Sequence, residues 1–252
     1  EQAKLSETVS GSASNATISG IVGHADLTLG DQVQDILHQH IELAEGRFKG
    51  IRHAGAHAEY PGVLTIAGRA PKSLYLDHEF QQGVRKLGEM GLTFDTWHYH
   101  YQNQEFNTLA QNVGGTQLIL DHFGTPLGVG PYASRREEIF KQWKKDIAEI
   151  ARHPNVVAKI GGLAMPDNGF GWHERATPPS SDEFVEAQRD YYLHTIDCFG
   201  PDRCMFESNF PVDRFSISYP VLYNGLKKIV ADFSEADKHA MFYGTAKRIY
   251  KL

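Results

Sequence analysis

Short apolar segments alternate with amphipathic helical segments along most of this chain, and this alternation restricts the folds available to it. The six apolar segments cover residues 18–23, 49–53, 92–96, 116–120, 156–160 and 204–206. Strands that alternate with helices predict a parallel sheet, because each helix returns the chain to the edge where the next strand begins. The 252 residues are enough for one large α/β barrel or for two small domains.

Polar side chains lie at or just after the carboxyl end of nearly every predicted strand. They are His24 and Asp26, Arg52 and His53, Trp97, His98 and His100, Asp121 and His122, Lys159, and Glu207, Asn209 and Asp213. In a parallel barrel the carboxyl ends of the strands meet on one face, where active sites form. A doubly wound sheet fits the same strands, but the sequence has neither Gly-x-Gly-x-x-Gly after the first strand nor a phosphate-binding loop. We therefore expect a barrel.

Two segments have the residue pattern of a capping box, in which a Ser and a Glu three residues later satisfy the first amides of a helix. These are residues 134–137 and 180–183. We expect a helix to begin at each of them.

Composition and charge restrict the partners. The net charge is −6 and no run of Lys or Arg occurs, so we expect neither nucleic acid nor a membrane as a partner. No apolar stretch approaches the roughly 20 residues that span a bilayer. The two cysteines, Cys198 and Cys204, do not make a disulfide framework, which favours a cytoplasmic protein. The expected partner is a small-molecule substrate, and a homo-oligomer is left open.

The sequence predicts a single domain over residues 1–252. The first 17 residues are rich in Ser, Thr and Ala, and they have the pattern of a flexible segment or of the remnant of a preceding helix. The chain opens on Glu1 rather than Met, so we expect the natural N-terminus to lie upstream.

Two motifs contain most of the candidate chemistry. Asp121 and His122 follow a buried strand, where a carboxylate can orient a histidine as a metal ligand or base. Glu207, Asn209 and Asp213 surround a sharp turn, where a carboxylate can bind a metal or activate water. The structural alternatives are a capped turn with a satisfied core histidine in the first motif, and a polar turn in the second.

Other residues are candidates for substrate binding. Arg52 suits a substrate carboxylate, with an internal ion pair as the alternative. Lys159 lies in an otherwise apolar strand and requires a buried partner, for which Glu207 and Asp121 are the candidates. The remaining candidates are His24, His53, Trp97, His98 and His100, and aromatic loop walls are the favoured alternative for the last three.

Several segments resemble the amidohydrolase-related barrels that include the sugar and dicarboxylate lactonases. Residues 120–126, Leu-Asp-His-Phe-Gly-Thr-Pro, are similar to the Asp-His-x-Gly-x-Pro segment of that family. Residues 49–52 are similar to its Arg-bearing strand, residues 158–162 to its Lys-x-Ser/Gly-Gly strand, and residues 203–213 to its last strand. The matches follow the family's order from about Gly20 to Leu252.

The resemblance implies a (β/α)₈ TIM barrel that lacks its first two βα units. In the family the first strand carries His-x-His, and the sequence has no match to it. The resemblance also implies a divalent metal, zinc before others, with His122 and Glu207 as its ligands. The family's last-strand Asp, a metal ligand or base, falls at Asn209, which cannot act as a base, so Glu207 or Asp213 is expected to substitute.

The resulting prediction is a metal-dependent hydrolase that opens a small carboxylated lactone, or a related cyclic ester or amide, with activated water. Its catalytic residues are predicted to be His122, Glu207, Asn209 and Asp213. A decarboxylase or hydratase on the same scaffold is the first alternative. An inactive truncated barrel that binds small molecules or a partner is the second.

Overall fold

The computed structural model describes residues 17–252 of the chain. The interpretation of the first 17 residues as a flexible segment or helix remnant thus lies outside the described residues, except for Thr17. Within the described part, six strands form one parallel sheet. They are β1 (Ile21–Gly23), β2 (Phe48–Arg52), β3 (Thr93–Asp95), β4 (Gln117–Asp121), β5 (Val156–Ile160) and β6 (Cys204–Phe206).

The sheet has the strand order β1-β2-β3-β4-β5-β6, so each strand pairs with its neighbours in sequence. All five strand pairings are parallel. Among the described residues β1 and β6 do not pair with each other, and the sheet is an open arc of a barrel. This arrangement confirms the parallel α/β fold expected from the sequence. Within residues 17–252, each edge strand has one unpaired side.

Eight α-helices follow in the described chain. They are α1 (Gln34–Leu43), α2 (His78–Glu89), α3 (Asn103–Asn112), α4 (Arg136–Ile150), α5 (Ser181–Phe199), α6 (Tyr219–Ile229), α7 (Glu235–His239) and α8 (Thr245–Tyr250). Their apolar faces cover the sheet and bury large side chains such as Phe80, Phe94, Trp143 and Phe184. Removal of this apolar surface from water stabilises the fold by about 25 cal/mol per Å². In the described part of the chain, no helix has both the length and the apolar character that crossing a membrane requires.

The two predicted capping boxes have different outcomes. Ser180 accepts from the Glu183 amide and Glu183 accepts from the Ser180 amide, so α5 begins as predicted. At residues 134–137 the predicted helix start is confirmed, since α4 begins at Arg136, but the predicted capping box is wrong. A 3₁₀ helix, Gly130–Arg135, runs directly into α4, whose N-cap residue is Arg135 without a side-chain cap. Because the 3₁₀ helix is continuous with α4, it occupies the position where a capping side chain would otherwise lie.

Candidate active site

The carboxyl ends of β2, β4 and β6 bring Arg52, His122 and Glu207 into one chain of hydrogen bonds. Nη2 of Arg52 donates to Nε2 of His122 over 2.9 Å, and Nδ1 of His122 lies 2.6 Å from Oε1 of Glu207. A guanidinium can only donate, so Nε2 of His122 accepts and Nδ1 carries the proton that Glu207 accepts. The contacts therefore define a neutral imidazole in one tautomer, with both ring nitrogens engaged.

A tight left-handed turn points His122 toward this edge of the sheet. His122, Phe123 and Thr125 all have positive φ angles, of 53°, 59° and 40°. Residues with side chains rarely adopt this region, and such strain is typical of functional sites. The His122 side chain is only 2% exposed, whereas Glu207 is 15% exposed and Arg52 38% exposed. Glu207 and Arg52 are thus the members of the chain that solvent can reach.

Two glycines after β5 make room for the His122–Glu207 contact. A Cβ on Gly161 would lie 2.5 Å from Cγ of Glu207, and one on Gly162 would lie 2.5 Å from Nδ1 of His122. Gly162 also has a φ of 81°, which favours glycine. The close approach of the two side chains therefore depends on this Gly-Gly pair.

Beneath this chain lies a buried ion-pair network. Lys159 Nζ lies 2.5 Å from Asp95 Oδ2 and 3.1 Å from Asp121 Oδ1, and Arg52 Nε lies 3.4 Å from Asp121 Oδ2. Tyr250 of α8 donates to Asp95 over 2.6 Å. Burial lowers the pKa of Lys159, but the charges of Asp121 and Asp95 outweigh it and hold that pKa well above its usual value. Of the two partners expected for Lys159, the structure provides Asp121, and it adds Asp95.

Glu207 is held in its ionised form. Its burial raises the pKa, but the interaction with the Nδ1–H of His122 and the positive charges of Lys159 and Arg52 leave the pKa of Glu207 below its ordinary value. A carboxylate that is charged at neutral pH can accept a proton from water.

Asp213 lies behind Asn209 and is fully buried. The Asn209 amide donates to Oδ1 of Asp213 over 2.8 Å, and the Ala164 N–H donates to Oδ2 over 3.2 Å. Burial raises the pKa of Asp213 to about 7 in spite of these hydrogen bonds. Without exposure Asp213 cannot touch a substrate, so it acts through Asn209, whose amide it orients.

A cavity of about 620 Å³ opens beside Arg52, at the carboxyl ends of β1 and β2. Its polar lining consists of Arg52, Arg69, His24 and His53. Nδ1 of His24 contacts the carbonyl of Arg52 over 3.0 Å, and the rings of His24 and His53 meet edge to face with centroids 5.2 Å apart. The cavity is therefore lined by two arginine residues, a surface that suits a carboxylate.

Sequence reasoning missed Arg69. It lies in the long segment between β2 and α2, where no periodic pattern marks a structural element. An isolated antiparallel bridge between His57 and Arg69 folds this segment back over the strand ends. The sequence holds no signal for this pairing, because it joins two isolated residues instead of two strands.

Three predicted pocket residues lie elsewhere, in an aromatic cluster beside the site. His98 is fully buried, stacks on Phe106 and contacts the Asn103 side-chain oxygen over 3.0 Å. His100 accepts from the Leu127 amide, and Trp97 packs edge to face on Tyr99. Burial lowers the pKa of both His98 and His100 to about 4, so both rings are neutral at pH 7. The substrate contact predicted for His98 is corrected here, because a fully buried ring cannot reach a ligand.

The described residues do not fit a metal site by themselves. Residues 17–252 contain no group of three or more His, Cys, Asp or Glu side chains arranged to hold a metal ion. In the pair predicted as ligands, His122 already donates to Glu207 and accepts from Arg52. Asp95 and Asp121 face the cations Lys159 and Arg52.

Comparison with known proteins agrees with the fold. The family model described as amidohydrolase matches residues 13–252. An uncharacterised protein of Sinorhizobium fredii, y4mH, is 35% identical over 234 residues, which cover 92% of this chain and 70% of that protein. An L-fucono-1,5-lactonase of Burkholderia multivorans is 26% identical over 239 residues, 94% of this chain and 73% of the lactonase.

A solved structure extends the fold comparison. It is the crystal structure of an amidohydrolase from Burkholderia multivorans with bound zinc, and it matches with a TM-score of 0.76 at 24% identity. The match covers 100% of this chain and 78% of the other. Because the amidohydrolase family model matches residues 13–252, the chain belongs to the amidohydrolase family of hydrolases.

Proposed function

We propose that the protein is a lactonase that opens a small lactone bearing a carboxylate. The observation that carries this proposal is the double role of Arg52, which lines the cationic cavity and donates to His122. One guanidinium thereby connects the place where an anionic substrate binds with the His122–Glu207 pair. The L-fucono-1,5-lactonase among the relatives supports a lactone as the substrate class.

In the proposed reaction Glu207 removes a proton from water, and the resulting hydroxide attacks the lactone carbonyl. Arg52 stabilises the negative charge that develops on the carbonyl oxygen. The ring C–O bond then breaks, and the alkoxide takes the proton back from Glu207, which leaves a hydroxy acid. His122 orients Glu207 through its Nδ1–H, and Arg69 binds the substrate carboxylate. Because the described residues do not fit the predicted divalent metal, no step is assigned to one.

A panel of small lactones, with and without a carboxylate, tests the proposal. We expect the full-length chain to open a carboxylated lactone, measured by proton release, without release of CO₂. Release of CO₂ instead would support the decarboxylase alternative, and no turnover of any lactone would favour a binding protein.

The variant His122→Ala separates catalysis from folding. We expect kcat/KM to fall about 100-fold, because Glu207 loses the donor that orients it and Arg52 loses its acceptor. The matched control is His78→Ala, since His78 is a histidine with 74% of its side chain exposed. Unchanged turnover in a folded His122→Ala protein contradicts the proposed role.

Arg69→Met tests the carboxylate subsite. We expect KM to rise about 10- to 100-fold, with kcat changed little, as for loss of a hydrogen bond to a charged group. For a lactone without a carboxylate the same variant should change KM little. An equal rise in KM for both kinds of lactone would show that Arg69 does not bind the carboxylate.

A further inference from the structure

The buried face of α5 carries two polar atoms that have no hydrogen-bond partner among the described residues. They are the hydroxyl of Tyr192 and Oε1 of Gln188, and both residues are fully buried. Residues four apart on a helix lie on the same face, and the Tyr192 side chain leans toward the turn that holds Gln188. Buried polar groups are nearly always satisfied by protein or by ordered water. The two oxygens therefore point to a shared partner.

Tyr192 lies directly behind the candidate active site. Its ring packs edge to face on Phe123, with centroids 4.9 Å apart, and its centroid is 6.3 Å from that of Phe206. Phe123 follows His122 in sequence, and Phe206 precedes Glu207. Burial, and then the charges of Asp213 and Glu207, raise the pKa of Tyr192 well above its usual value, so its hydroxyl stays protonated. It is therefore a hydrogen-bond donor that faces two carboxylates.

Gln188 is linked to Asp213 through a single peptide group. Its amide donates to the Leu163 carbonyl over 3.0 Å, and the N–H of the same peptide, on Ala164, donates to Asp213 over 3.2 Å. Gln188 and Tyr192 thus both approach Asp213, where α5 packs on the loop after β5. The other charged or polar groups that face Asp213 are His122, Glu207 and Asn209.

We propose that Tyr192 and Gln188 hold a buried water that donates to Asp213, and that Tyr192 is a positioning residue for this carboxylate. The water accepts from the Tyr192 hydroxyl and donates to Asp213 and to Oε1 of Gln188. Three hydrogen bonds are the usual number for a buried water. The bridge keeps Asp213 oriented toward Asn209, in the turn that carries Glu207. The inference does not depend on the lactonase proposal.

The variant Tyr192→Phe tests the bridge, because it removes the hydroxyl and keeps the ring against Phe123. Without this donor the ionised form of Asp213 loses stabilisation, so its folded-state pKa should rise by about one unit from about 7. The destabilisation of the variant relative to wild type should therefore be larger at pH 9 than at pH 5.5. The expected increase is about tenfold in the unfolding equilibrium constant, or about 1.4 kcal/mol. Urea unfolding at the two pH values measures it.

Two controls separate this result from a simple packing effect. Tyr191→Phe removes a phenol at the next position of α5, whose ring packs on Trp143 and Phe140, away from Asp213. Its effect should be the same at both pH values. In an Asp213→Asn background, the pH dependence of Tyr192→Phe should disappear. Two outcomes overturn the proposal. One is that Tyr192→Phe destabilises the otherwise wild-type protein equally at both pH values. The other is that its destabilisation still depends on pH when Asp213 has been replaced by Asn. Neither readout requires activity, so a failure of the lactonase proposal remains distinguishable.

Discussion

Asp213 is the residue whose surroundings have the clearest consequence for stability. Its pKa is raised to about 7 in the folded protein, against an ordinary value of 3.8. Between these two values the folded state holds a proton that the unfolded state has released. Stability contributed by Asp213 therefore falls as the pH rises from about 4 to about 7, and stays constant above that.

Asp213→Asn should remove this pH dependence, because the amide does not titrate. Relative to wild type, the variant should gain stability between pH 4 and pH 8, by at most about 4 kcal/mol. Urea unfolding of both proteins across this range gives the difference directly. A difference that is flat with pH would mean that Asp213 titrates near its ordinary value.

At the same scale, the sequence predicted the residues at strand ends better than those in loops. Arg52, His122 and Glu207 were all expected at the carboxyl edge, and the structure brings them into contact. The sequence did not predict the roles of Arg69 and Tyr192, for two different reasons. Arg69 reaches the cavity through an irregular loop, and Tyr192 has the sequence pattern of an ordinary helix core residue.

Among the elements, the turn after β5 decides whether His122 can meet Glu207. Gly162→Ala should cost about 1 kcal/mol for its left-handed backbone, and its methyl group should also displace the His122 imidazole. We expect kcat/KM for lactone opening to fall at least tenfold in protein that is still folded. Gly171→Ala is the matched control, since Gly171 has a φ of 68° but nothing within 4 Å of the added Cβ. Equal activity in the two variants would show that the approach of Gly162 to His122 is unimportant.

The start of α5 provides a second prediction. Ser180→Ala should lower stability by about 1 kcal/mol, because the Glu183 amide loses its acceptor. Ser134→Ala, in the segment with the same sequence pattern, should change stability by less than about 0.5 kcal/mol. Thermal unfolding of the two variants measures both effects. A larger cost for Ser134→Ala would indicate that α4 does use a side-chain cap in solution.

These two segments also show how far sequence patterns reach. A capping box records which side chains can satisfy helix amides, but it does not reveal whether a preceding turn already does so. The Gly130–Arg135 turn before α4 depends on how the chain leaves β4. A pattern of four neighbouring residues does not include that information. All six strands were predictable, since that signal is the recurrence of apolar segments along the whole chain.

Across the whole molecule, one buried charge network joins elements that are far apart in sequence. Lys159 of β5 neutralises Asp95 of β3 and Asp121 of β4, and Asp95 accepts from Tyr250 in the last helix. Lys159 was expected to bind substrate. The structure instead indicates a structural role, because its ammonium group already contacts two carboxylates. The network supports the open sheet from inside.

Lys159→Met should therefore destabilise the entire fold, because it leaves Asp95 and Asp121 buried with Arg52 as their remaining cationic neighbour among the described residues. We expect a loss of about 3–5 kcal/mol, the range for removal of one partner from a buried ion pair. The control Lys141→Met removes an exposed lysine that pairs with Glu137 one helical turn away, and should cost less than about 1 kcal/mol. Adding Asp95→Asn to Lys159→Met should restore part of the loss, since one of the unpaired carboxylates becomes neutral. If Lys159→Met unfolds at the same urea concentration as wild type, the network contributes little, and the packing of the helices alone holds the open sheet together.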